Sequence, residues 1–139
     1  MYQINIVQNK TDLEQIKRIS EIRINNTLCY FNKKEYIEFR NRISDIQKYL
    51  IDKKYTEVAS LILDGEIKAY GNNYFIILFS NDNDVNLFNN NYKLIDELML
   101  KTFNINFHGT AVNQNMWNKI KQEFNNKEKK YSYVKENFE

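Results

Sequence analysis

The chain has 139 residues, no proline, three glycines and a formal net charge of +2 at pH 7. That length is one domain's worth and is enough to bury a core without disulfide or metal staples. An apolar fraction of 42%, with ten Tyr and nine Phe, excludes a disordered chain. So small a net charge excludes reading the chain as a nucleic-acid binder on charge alone.

From the N-terminus, residues 2–9 are expected as a short strand or an extended lead-in. Thr11 with Glu14 three residues on reads as a capping box, and Leu13, Ile16 and Ile19 mark a short helix. Ile22-Arg23-Ile24-Asn25-Asn26-Thr27 breaks that period and turns. Asn32 caps a second helix, expected over 33–53, with Tyr36, Phe39, Ile43, Ile46 and Leu50 on its buried face. Val58 to Leu63 reads as a strand, Asp64-Gly65 as a tight hairpin turn, and Ile67 to Tyr70 as the returning strand. After a Gly71-Asn72-Asn73 turn, Tyr74 to Phe79 is apolar on both faces and belongs at the centre of the sheet. A long helix follows from Ser80–Asp84 to Phe103. Ile105 to Val112 supplies a fourth strand, and Asn113 caps a last helix carrying Trp117, Ile120 and Phe124. From Lys127 the chain turns charged and is expected to fray.

Catalytic and metal chemistry find little support. The single His108 and the single Cys29 lie far apart in sequence and cannot supply a usual zinc ligand set. Asp82-Asn83-Asp84-Val85-Asn86 starts like a calcium loop, but Leu87 stands where the glycine is needed and Lys93 where the glutamate is needed. The three glycines are scattered, so no phosphate-cradling loop forms. One cysteine excludes an internal disulfide, and neither a signal-peptide layout nor a membrane-length apolar run is present. The expectation is a cytoplasmic, non-enzymatic chain without cofactor or metal, acting through binding. Trp117, Phe124, Tyr131, Tyr133 and Phe138 are the candidate partner-binding residues, the last three as aromatic anchors in a polar tail that orders on docking.

Three segments carry a resemblance to a known family: Ile22 to Thr27 before a helix, Val58 to Ala69 around Asp64-Gly65, and Trp117 to Phe124. The chain resembles the C-terminal, polymerase-binding domain of the gamma/tau subunit of bacterial DNA polymerase III, in its Firmicutes and mycoplasma form. Ile22, Arg23, Asn25, Asn26, Asp64 and Gly65 are the positions that match the family motifs. The resemblance covers about residues 20 to 125. It implies an α/β (α+β) fold, a small mixed sheet of three to four strands packed against helices, like a truncated KH domain. It implies a non-catalytic domain that tethers the DNA polymerase III catalytic (alpha) subunit to the clamp loader in chromosomal replication. The replicative helicase is a further expected contact, and clamp-loader subunits would join through an N-terminal ATPase part that is absent here. The isolated domain is expected to be monomeric. The expected organisation is a helical lead-in at 1–30, the α/β polymerase-binding domain at 31–126, and a charged, flexible tail at 127–139. The alternative is a KH-like module for single-stranded nucleic acid, against which stands the lack of a Gly-x-x-Gly pair.

Overall fold

A computed structural model describes residues 10–126 and 130–136, with side chains from Asp12 onward. The expected element at 2–9, and Phe138, lie outside the described residues. The order is α1 (Lys10–Cys29), α2 (Lys33–Arg42), a 3₁₀ helix (Ile43–Tyr49), α3 (Thr56–Asp64), β1 (Glu66–Gly71), β2 (Tyr74–Leu78), α4 (Asp82–Asn90), α5 (Tyr92–Phe103), β3 (His108–Val112) and α6 (Gln114–Phe124). The sheet is mixed and three-stranded, in the order β1-β2-β3. β1 pairs antiparallel with β2, and β3 pairs parallel with β2. The α/β class and the central place of Tyr74 to Leu78 are as the sequence suggested.

Alternation along the strands sends side chains to two faces. On one face Ile67, Tyr70, Phe75, Ile77 and Ala111 meet Phe39 of α2, Ile46, Ile62 of α3, Phe88 of α4 and Leu98 of α5. Phe39 stacks on Tyr70 at 4.8 Å between ring centroids and lies 4.9 Å from both Phe75 and Phe107. On the other face Ala69, Ile76 and Val112 meet Leu28 of α1, with Trp117 and Ile120 of α6 resting on the same cluster. Gly71 admits the end of α1 to this face, since a β-carbon there would lie 2.4 Å from the Tyr30 carbonyl.

Four expected elements are corrected. Val58 to Leu63 is helix, not strand: Val58, Ala59, Leu61 and Ile62 are buried at helical spacing. A short apolar run fits either period, and Asp-Gly closes a helix as readily as it turns a hairpin. Gly65 accordingly has an extended backbone, with φ −87° and ψ 170°. The left-handed pair that a tight hairpin needs is Asn72 (φ 48°) and Asn73 (φ 70°), joining β1 to β2. The sheet therefore lacks a strand at 58–63.

Ile22 to Thr27 does not break the first helix. α1 runs unbroken through it, and Thr11 lies inside the helix rather than at its N-cap. The expected helix at 33–53 tightens into a 3₁₀ turn after Arg42, where Ile43, Ile46 and Tyr49 at spacings of three all face the core. The long helix after Ser80 is two helices, parted at Asn91, whose side-chain amide donates back to the Leu87 carbonyl (2.8 Å).

α1 packs on the sheet through Leu28, in the cluster with Ala69, Ile76 and Val112. Residues 131–136 carry no regular secondary structure and lie against α1.

Candidate protein-binding surface on α1, α6 and the C-terminal segment

α6 begins at Asn113, whose side chain accepts from the Met116 amide (2.8 Å), and none of its residues is fully buried. Trp117 and Ile120 are half-buried against the sheet, while Phe124 is 39% exposed. Between α6, the end of α1 and β1 lies a groove of about 220 Å³, lined by Leu28, Phe31, Ala69, Trp117, Ile120 and Phe124. Lys68 and Lys121 also line it. Phe124 sits edge-on to Phe31 at 5.9 Å and 6.0 Å from Tyr131. The structure thus brings Trp117, Phe124 and Tyr131 to one place. Tyr133 lies along α1 instead, 6.0 Å from Tyr30 and 47% exposed. Phe138 lies outside the described residues.

The Ile22–Thr27 stretch of α1 forms a second, polar part of the site. Ile19, Arg23, Asn26 and Thr27 recur at helical spacing and are buried. Arg23 is 1% exposed, and each of its five N–H groups has an acceptor. Nη1 donates to Asp96 Oδ1 (3.0 Å) and to the Gly109 carbonyl (3.0 Å); Nη2 donates to Asp96 Oδ2 (2.7 Å) and Glu136 Oε2 (3.2 Å); Nε donates to Glu136 Oε1 (2.7 Å). The guanidinium also lies 5.1 Å from the Tyr92 ring centroid. Burial pulls its pKa down, but Asp96 and Glu136 outweigh burial and hold it above the ordinary arginine value. His108 Nδ1 lies 3.1 Å from Asp96 Oδ2.

Asn26 is fully buried, and its amide brackets one residue of the C-terminal segment. Its Nδ2 donates to the Val134 carbonyl (2.7 Å), and its Oδ1 accepts from the Val134 amide (2.9 Å). Asn25 Nδ2 donates to the Ser132 carbonyl (2.7 Å), and the Cys29 thiol to the Tyr131 carbonyl (3.6 Å). Ile22 is half-buried on the same helix. Asp64 is exposed and Gly65 is remote in role: a β-carbon at Gly65 would fall 2.5 Å from Ile77 Cδ1, so that position serves packing.

Asp96, Gly109 and Glu136 completed the Arg23 cluster without being singled out in the sequence. The available signal was a charge, Asp96, set within the buried run of α5 between Ile95 and Leu98. Among the described residues no group of His, Cys, Asp or Glu could hold a metal ion, and no helix is long and apolar enough to cross a membrane. The calcium-like stretch instead opens α4, with the Asn81 side chain accepting from the Asp84 amide (2.8 Å). No known protein family, curated protein or solved structure matches the chain.

Proposed function

We propose that the chain is a non-catalytic protein-binding domain. The observation that carries this reading is the open apolar groove beside Trp117, walled by a helix that keeps its aromatic residues half-covered. A concave site with an aromatic anchor and a polar rim is what a partner's apolar side chain needs. Lys68 and Lys121 favour acidic flanks on that partner. The resemblance in the Ile22–Thr27 and Trp117–Phe124 segments supplies the identity of the partner. It is the DNA polymerase III catalytic subunit, tethered to the clamp loader by the gamma/tau subunit, with the replicative helicase as a further contact. Work on chromosomal DNA places the protein in the cytoplasm.

The test is a calorimetric titration against the polymerase catalytic subunit of the same organism in physiological salt. Saturable 1:1 binding is expected. Trp117→Ala should cost about 2 kcal/mol, roughly 30-fold in affinity, if the ring is an interface anchor. Circular dichroism should show the variant still folded. Absence of binding, with retention on single-stranded DNA that falls steeply with salt, would replace this reading with the nucleic-acid one.

A further inference from the structure

The C-terminal segment is held in an unusual way. Tyr131 is the one side chain of the segment that packs into the apolar cluster, while Tyr133 and Val134 are 47% and 43% exposed. The segment is also held through its backbone and one carboxylate. Asn25 and Asn26 read main-chain groups of Ser132 and Val134, and Arg23 reads the Glu136 carboxylate through two N–H groups. An amide that pairs with both the N–H and the C=O of one residue selects an extended strand and tolerates any side chain there. A buried guanidinium with two donors aimed past its internal partner, Asp96, selects a carboxylate. These groups sit on a helix face that would otherwise be apolar core, where leaving them unmet is costly. The face therefore demands an occupant of defined chemistry, and the segment at 131–136 shows what that chemistry is.

We propose that the Arg23–Asn26 face of α1 is a recognition slot for an extended peptide bearing a carboxylate two residues after the residue bracketed by Asn26, that residues 131–136 fill it as an internal ligand, and that a partner protein's segment of the same chemistry displaces them. The proposal rests on the protein-binding reading and specifies the partner's docking segment. Tyr131 links the slot to the groove, because it packs against the cluster that holds Trp117 and Ile120. Displacement of the segment would thus also remove one aromatic ring from beside Phe124.

The test keeps every residue of the chain. A specific protease site is inserted between Asn126 and Lys130 and cut, making residues 130–139 a separate peptide. A fluorescent synthetic peptide of residues 130–139 is then titrated in by anisotropy. The cut protein is expected to bind it saturably and to release it to unlabelled peptide. The uncut chain, whose tethered segment competes at high effective concentration, should bind it at least ~100-fold more weakly. A Glu136→Gln peptide should bind about 5-fold more weakly, and a peptide N-methylated at Val134 should fail.

Loss of amide protection in β2 and α5 on cutting, or a cut segment that never exchanges, would make 130–136 a fixed part of the fold and overturn the proposal. So would equal binding of the altered peptides. A dimer of the uncut chain that disappears on cutting would assign the slot to a second copy and also overturn it. Peptide exchange without binding of the polymerase subunit would leave the slot standing and remove the proposed partner. Tight polymerase binding without exchange would do the reverse.

Discussion

The two faces of the sheet solve the same problem with different chemistry. Toward α2–α5 the buried side chains are aromatic and aliphatic, with Phe39, Phe75, Phe88 and Phe107 at the centre. Toward α1 lie Arg23, Asn26 and Thr27, joined by Thr110 on the strand face it shares with Val112; these are the buried polar or charged residues among those described. An apolar face gains stability from area removed from water and is indifferent to the identity of a distant segment. A polar face is stable only when each group is matched, so it depends on what is docked there. The first face builds the domain, and the second holds the C-terminal segment through matched polar groups.

Substitution on the aromatic face should have the largest effect. Phe75 is fully buried in β2, and its ring occupies the space above Gly109, where a β-carbon would lie 2.2 Å from it. Phe75→Ala should cost about 3–5 kcal/mol. Chemical denaturation should show a lower midpoint, with all probes moving together. A variant that lost the α1 face alone would break the claim that the aromatic face carries the global fold.

Arg23→Met comes next. It keeps a long side chain but strands the Asp96 carboxylate, the Gly109 carbonyl and Glu136. Removing one partner of a buried pair costs about 3–5 kcal/mol, and the partial exposure of Asp96 and Glu136 lowers that to about 2–3 kcal/mol. The measurement is again a denaturation midpoint, accompanied by loss of protection at Val134. Glu136→Gln should do much less to the whole. It replaces a charge-assisted contact with a neutral one, at about 1 kcal/mol, and should speed hydrogen exchange of the Val134 amide while leaving amides in β2 unchanged. A global midpoint shift as large as that of Arg23→Met would mean the two faces are one cooperative unit.

What the sequence made legible follows that division only in part. Legible features include the central strand, the caps at Asn32 and Asn113, and the α6 face with Trp117 and Ile120. Two of the four corrected elements show why the rest was hidden. Val58 to Leu63 is too short for its period to decide between helix and strand. Ile22 to Thr27 reads as a break because Arg23, Asn26 and Thr27 take the buried positions between Ile19 and Leu28, so hydrophobic periodicity lapses where the helix carries its polar groups. Local pattern and global fold part company at functional surfaces. Hydrophobic period alone gives no sign that Arg23 and Asn26 are buried. Their partners Asp96 and Glu136, 73 and 113 residues away in sequence, left no local trace beyond an isolated charge in an apolar helix.

The smallest effect is a pH dependence that reports on the polar face from within the sheet. Tyr74 is 6% exposed, its ring 5.6 Å from that of His108. Burial pushes its phenol up to about 12; a hydrogen bond from Asn26 opposes the rise, and Glu136 and Tyr133 of the docked segment add to it. In the unfolded chain the value returns to about 10. The folded state thus favours the neutral phenol. Its contribution is complete below about pH 10 and drains as pH climbs from there toward the folded value. Tyr74→Phe should flatten the alkaline fall in stability and remove one late-ionising tyrosine from an ultraviolet titration. Glu136→Gln should bring that late ionisation to lower pH without abolishing it, because one of the two neighbouring influences from the segment is gone while burial remains. If Tyr74 titrated identically with and without the Glu136 charge, the docked segment would not reach the sheet electrostatically, and the polar face would end at α1.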